Sequence, residues 1–173
     1  MYERKDQVVA RLRGGVEQLL KSNGVTLLRG TGSVAGPGSV RFTPAEGDAV
    51  MLSAKNILIA SGSRPARTPF PGCELPGVIT SDELLSDSGI VKKKLLVLGA
   101  GVIAVEFATV FANLGCEVSM VVRSSLMRIW DEDISKNFGA ILKKRGVKVY
   151  GKSAITEVVK ADGGLLCRLS RTK

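Results

Sequence analysis

The chain is predicted to be an α/β protein in which a βαβαβ unit on a parallel sheet follows a shorter segment holding one helix and an antiparallel meander. Three observations carry this expectation. Between residues 94 and 150, short apolar runs alternate with runs of helical periodicity, the pattern of strands joined by crossover helices. Gly115 and Gly146 stand just past two of those helical runs, where a helix end favours a left-handed residue. Pro65, Pro69, Pro71 and Pro76 crowd a connector that suits neither a helix nor an inner strand. That connector sets the expected domain boundary, with residues 1–67 on one side and 68–173 on the other.

Each element has its own signal. Val8, Val9, Leu12, Val16, Leu19 and Leu20 fall at helical spacing between Glu3 and Lys21, and Asn23-Gly24 supplies the stop. Val25 to Arg29, Ser39 to Thr43 and Ala49 to Ser53 are β-like runs separated by glycine-rich turns, hence the meander. Asn56 to Ala60 is apolar on both faces, which suits a central strand of a covered parallel sheet. Beyond the connector, Thr80-Ser81-Asp82-Glu83 forms a capping box opening a short helix. A strand at Lys94 to Leu98, a helix at Val102 to Leu114 and a strand at Glu117 to Val122 follow. Next come a helix at Glu132 to Arg145, capped by Asp131, and a strand at Val147 to Tyr150. Ile155 to Lys160 and Leu165 to Leu169, joined through Asp162-Gly163-Gly164, predict a closing hairpin.

Composition narrows the function classes. Hydrophobic residues at 45% and charged residues at 24% place the chain among packed globular proteins. The net charge of +9, from 25 Lys and Arg against 16 Asp and Glu, suits a polyanion or a phosphorylated small molecule. The basic residues gather at Lys92 to Lys94, Lys143 to Arg145 and Arg168 to Lys173, not along an aromatic-studded face, and aromatics make up only 5%. No nucleic-acid partner is therefore expected. Cys73, Cys116 and Cys167 lack metal-ligand spacing and there is no histidine, so no metal site is expected. Cys116 and Cys167 are expected to be inert packing residues. No apolar run approaches the roughly 18 residues of a membrane span and no secretory h-region opens the chain, so the expectation is no membrane and a reduced, cytoplasmic compartment.

The chemistry lies in Gly99-Ala100-Gly101-Val102-Ile103-Ala104, set between an apolar strand and a helix, the one context in which G-x-G-x-x-G/A is informative. Gly99 allows the tight turn, Gly101 lets a pyrophosphate approach the backbone, and Ala104 permits close packing of helix on strand. A phosphate there faces the free N–H groups and positive dipole end of the helix. Ala108 and Ala112 continue the close-packing face. At the tip of the second strand NAD sites normally offer a carboxylate to the ribose 2′-hydroxyl, whereas an arginine accommodates the 2′-phosphate of NADP. Here that place is Val122, followed by Arg123 and, five residues on, Arg128. Two guanidiniums bind a phosphate through charge-assisted hydrogen bonds of about 1.5–3 kcal/mol each. NADP is the preferred cofactor, with NAD as the alternative and solvated loop arginines as the bland one.

These residues resemble the pyridine nucleotide–disulfide oxidoreductases, the flavoproteins that include dihydrolipoamide dehydrogenase, glutathione reductase and thioredoxin reductase. The resemblance is carried by Asn23-Gly24-Val25, Gly30-Thr31-Gly32, Gly36-Pro37-Gly38, Ile57 to Pro65, Leu75 to Ser81 and the block from Gly99 to Ala108. The first half is most similar to dihydrolipoamide dehydrogenase. Ala104 with Arg123 and Arg128 is more similar to the NADPH-using glutathione and thioredoxin reductases. The resemblance implies a Rossmann-like NAD(P) domain at 68–173, C-terminally incomplete, and a partial FAD-binding domain at 1–67. It further implies that Glu106 contacts the nicotinamide end, that Ile103 packs near the ring, and that Ser61-Gly62 passes near FAD, with Ser61 replacing the usual threonine. Glu106 is also expected to be half-buried in its apolar helix, a costly place for an unpartnered carboxylate, with a Glu reaching solvent on the exposed stripe as the alternative.

The family's chemistry is hydride transfer between NAD(P)H and FAD, then electron transfer to a C-x-x-x-x-C disulfide with a histidine base from a partner subunit. This sequence has no cysteine pair at that spacing, no histidine and no second G-x-G-x-x-G. It contains no catalytic residue, and the expectation is a central slice of a longer homodimeric enzyme that binds the dinucleotide without turning over alone. A non-catalytic nucleotide-binding or interaction module that kept the fold is the competing expectation.

Overall fold

The computed structural model describes residues 2–86 and 93–171, which leaves Lys92, Thr172 and Lys173 of the basic clusters outside. The chain divides into two compact units, Met1–Arg64 and Pro65–Lys173.

In the first unit, α1 (Tyr2–Ser22) ends where Asn23 was expected to stop it. The Asn23 side-chain amide donates to the Leu19 carbonyl at 2.9 Å, and Gly24 takes a left-handed φ of +69°. Arg29 pairs with Glu17, folding the following chain back along the helix. No residue of α1 is buried, so its Val8, Leu12, Val16 and Leu19 stripe stands exposed. The meander is β1 (Gly30–Gly36), β2 (Ser39–Pro44) and β3 (Val50–Ser53), antiparallel in chain order.

Its first strand is therefore not Val25 to Arg29 but the glycine-rich run after it. The glycines had the look of turn markers, yet Gly30 is there because the strands pack closely. A Cβ on Gly30 would lie 2.3 Å from the Thr43 carbonyl oxygen and 2.7 Å from the Phe42 ring. Asn56 to Ala60 likewise forms no strand, and Leu58 and Ile59 are 89% and 74% exposed. A strand apolar on both faces needs parallel neighbours and a covering layer on each side. The described strands of this unit are the meander alone, whose last strand ends at Ser53.

In the second unit, α2 (Ser81–Ser86) opens on its capping box, the Thr80 N–H donating to Glu83 Oε2 at 2.5 Å. Then follow β4 (Lys94–Leu98), α3 (Val102–Asn113), β5 (Glu117–Val122), α4 (Glu132–Lys144), β6 (Lys148–Gly151), β7 (Ser153–Ala161) and β8 (Gly164–Arg171). The three strands β4, β5 and β6 form a parallel sheet in that spatial order, and β7 and β8 a separate hairpin. Among the described strands β4 pairs on one side only. The hairpin turn is the two-residue Asp162-Gly163, with Ala161 opposite Gly164 and Gly163 at φ +79°.

Both helix ends at Gly115 and Gly146 take the left-handed conformation, with φ of +86° and +80°. Asp131 caps α4 by accepting the Asp133 N–H at 2.8 Å. The core centres on β5, buried on both faces, with Val118, Met120, Val121 and Val122 all inaccessible. Helix α3 sets Val105, Ala108 and Phe111 against it, and α4 adds Leu142. The proline-rich connector packs on the hairpin. Val158 N–H donates to the Pro71 carbonyl at 2.8 Å, and a Cβ on Gly72 would sit 1.9 Å from the Val158 oxygen.

At the strands' N-terminal ends Glu117 accepts from Lys148 at 2.8 Å and pairs with Lys94 at 3.4 Å, an ion ladder across all three strands. The Lys148 hydrogen bond and charge hold the Glu117 carboxyl below its ordinary 4.5, and the same contact lifts Lys148 above 10.5. A depressed carboxyl contributes its stability above pH 4.5 and loses it as pH falls through the lowered value. A raised amine contributes below 10.5 and loses it as pH rises past the raised value. Glu117→Gln is expected to lower Tm at neutral pH by a small amount, with the two melting curves converging as pH drops below 4.5. Phe111→Ala, which empties a fully buried site, is expected to cost about 3–5 kcal/mol in urea unfolding.

Candidate functional site

The C-terminal ends of β4 and β5 lie side by side, Leu98 in register with Val121. The chain leaves β4 through Gly99-Ala100-Gly101 and enters α3 at Val102. Gly99 must be glycine for two local reasons. Its φ is +142°, and an added Cβ would stand 3.3 Å from the Ala104 Cβ. Gly101 has neither reason, since its φ is −80° and no atom lies within 4 Å of where its Cβ would be. Its missing side chain leaves open the space in front of the helix. That helix end carries no side-chain cap, and its first intrahelical bond is from Val105 N–H to the Gly101 carbonyl at 3.1 Å. The N–H groups before Val105 thus have no acceptor within α3. By contrast α4 fills its own N-terminus with Asp131, Glu132 and Asp133.

The loop after β5 forms the second wall. Val122 is 1% exposed, its side chain in the core, and the strand tip there offers no carboxylate. Arg123 and Arg128 are exposed, and Leu126 and Met127 between them are buried. Met127 holds a left-handed φ of +51°, and its N–H donates to the Ala100 carbonyl at 2.8 Å, clipping the loop to the glycine turn. Ser135 Oγ donates to the Leu126 carbonyl at 2.6 Å and ties the same loop to α4. Nothing in the sequence marked Met127, because a bulky residue rarely takes that conformation and no composition signal announces it.

Gly99, Gly101, Val102, Ile103, Ala104, Arg123 and Arg128 therefore gather at one end of one sheet. Val102 and Ile103 are exposed beside Gly101 along an apolar groove that β4, the hairpin and the connector also line. Glu106 departs from expectation. It is exposed, because the buried stripe of α3 is Val105, Ala108 and Phe111 and Glu106 lies off it, so the half-buried carboxylate is overturned. Ser61 and Gly62 belong to the first unit, where both are exposed and Gly62 has φ +74°.

Cys73, Cys116 and Cys167 form no disulfide and all line the groove, half-buried, and burial pushes the Cys167 thiol up. Among the described residues no group of three His, Cys, Asp or Glu could hold a metal ion, and no helix is long and apolar enough to cross a membrane.

The two glycines make opposite stability predictions. Gly99→Ala is expected to cost of order 1–3 kcal/mol through strain at positive φ. Gly101→Ala is expected to change unfolding free energy by less than about 1 kcal/mol. Denaturant titration of both variants distinguishes a glycine the fold requires from one it does not.

Residues 2–172 match the family model described as pyridine nucleotide-disulphide oxidoreductase. The chain is 38% identical to the mitochondrial dihydrolipoyl dehydrogenase of Bos taurus, over 95% of this chain and 32% of that protein. It is also 38% identical to the dihydrolipoamide dehydrogenase of Chaetomium thermophilum, over 100% of this chain and 34% of that one. The chain thus spans about a third of the length of these curated relatives. Among solved structures, the copper(II) complex of RclA, an HOCl-induced flavoprotein disulfide reductase from Escherichia coli, superposes with a TM-score of 0.84. The identity there is 28%, covering 96% of this chain and 38% of that one.

Proposed function

The chain belongs to the pyridine nucleotide-disulphide oxidoreductase family, and on that premise we propose that its second unit is the nicotinamide-dinucleotide-binding portion of a dihydrolipoamide dehydrogenase-like flavoprotein disulfide reductase. The observation that carries this is Gly101. Neither backbone conformation nor packing asks for glycine there, and the space its side chain vacates lies before an uncapped helix N-terminus. A pyrophosphate fits that combination of open space, unpartnered N–H groups and positive helix dipole.

The residues present suit the pyrophosphate, the nicotinamide side and the ribose 2′-phosphate of the dinucleotide. Gly99 to Ala104 take the pyrophosphate, and Ile103 takes the nicotinamide side, a reading supported by its exposure on the groove beside Val102. Glu106 keeps its nicotinamide role by resemblance alone. Arg123 and Arg128 take the ribose 2′-phosphate, supported by their exposure and by a strand tip without an acid, so NADP is preferred over NAD. The nicotinamide ring exchanges a hydride with FAD in the full-length, homodimeric enzyme, and this chain's part is to bind and orient it. In the first unit Ser61-Gly62 is the stretch assigned to FAD. With no C-x-x-x-x-C and no histidine, the chain reduces no disulfide by itself. Unpaired cysteines fit a reduced, cytoplasmic location.

Calorimetric titration tests the reading. The chain is expected to bind NADPH with micromolar affinity, and Arg123→Ala to weaken NADPH about tenfold, or 1.4 kcal/mol, while barely moving NADH. Equal losses for both cofactors would remove Arg123 from the 2′-phosphate. No binding of either would favour the non-catalytic module.

A further inference from the structure

Helix α1 carries an apolar seam that its own unit leaves open. None of its described residues is buried, and Val9, Leu12, Val16 and Leu19 are 36%, 64%, 57% and 63% exposed. Their spacings alternate three, four and three residues, a seam of period 3.5. In a heptad frame Val9 and Val16 hold the a positions and Leu12 and Leu19 the d positions. A β-branched residue at a with leucine at d is the combination that two-stranded coiled coils favour. The frame runs the whole helix. Tyr2 is its first a residue and Lys5 its first d residue, whose ammonium lies over the Tyr2 ring at 5.9 Å and beside the Asp6 carboxylate at 2.5 Å. Asn23, the last a residue, ends the seam by giving its amide to the Leu19 carbonyl. Val8, at g, is 45% exposed and widens it. The segment that returns after the helix does not close the seam, because Arg29 pairs with Glu17, a b residue off the a/d line.

We propose that α1 pairs in parallel with the same helix of a second copy of this chain, as a short two-stranded coiled coil. The inference is independent of the dinucleotide reading. The occupant follows from the seam, since a and d residues of this kind are knobs whose holes are formed by an identical helix, each valine layer meeting valine and each leucine layer leucine across a two-fold axis. Charge selects the direction. In the parallel pair e faces g, so Arg13 meets Val8 of the second copy. An antiparallel pair that overlaps all four layers sets e against e and brings Arg13 to Arg13, a like-charge contact. Gly14 and Gly15 weaken the isolated helix, so pairing and helix formation reinforce each other.

The test is sedimentation equilibrium of the 173-residue chain in low-salt buffer. A monomer–dimer equilibrium is expected. Leu12→Asp, which puts a charge at an exposed d position, is expected to shift it to monomer, and Gln18→Asp, at c and off the seam, to leave it in place. Under mild oxidation Val16→Cys is expected to give interchain disulfide dimers above the level of the unsubstituted chain, and Gln18→Cys to give none above it. Both positions are exposed, so the cross-linking variants keep the fold. Monomer at the highest soluble concentration, dimers that survive Leu12→Asp, or equal cross-linking at 16 and 18 overturns the pairing and leaves the dinucleotide reading standing.

Discussion

Everything in the second unit depends on how closely α3 approaches the sheet. A Cβ on Gly99 would stand 3.3 Å from the Ala104 Cβ, tighter than ordinary contact, and Ala108 on the same helix is wholly buried. That approach brings the helix N-terminus, whose first N–H groups have no acceptor within α3, to the mouth of β4 and β5. It also lets Phe111 reach the core and gives the Ala100 carbonyl its place opposite Met127. A bulkier residue at 99 or 104 would press on this contact and strain the turn that carries the loop clip.

Charge is sorted along the sheet. At the N-terminal ends of the strands Glu117 bridges Lys94 and Lys148, and α4 places its acids on its own first turn. At the other end the tip of β5 has no carboxylate of its own, and Arg123 and Arg128 follow it. A net charge of +9 by itself names no ligand, but its local distribution does.

The βαβαβ unit was legible in the sequence because its signals are local. Apolar strands, glycine stops and the Asp131 cap each act within a few residues, so β4 and β5 begin and end where their residues say. The errors lie where structure depends on partners far along the chain. Asn56 to Ala60 has strand composition but no ladder neighbour, and Gly30 to Gly36 has turn composition but pairs along its length with the strand that follows it. In the site, the glycines and arginines could be found by pattern. The inward-facing Val122, the exposed Glu106 and the left-handed Met127 could not, since each depends on which way a side chain or backbone turns after packing.

Among the described strands β4 stands at the margin of its sheet, which carries a consequence for handling the molecule. A strand bonded on one flank offers its remaining amides and carbonyls as a template, and Leu95, Leu96 and Val97 make that template greasy. In-register zippering of two copies would bring Lys94 against Lys94, a like-charge clash that salt screens. Colloidal behaviour should therefore worsen with ionic strength, the reverse of ordinary salting-in, and dilute low-salt buffers are the conditions that keep preparations monodisperse.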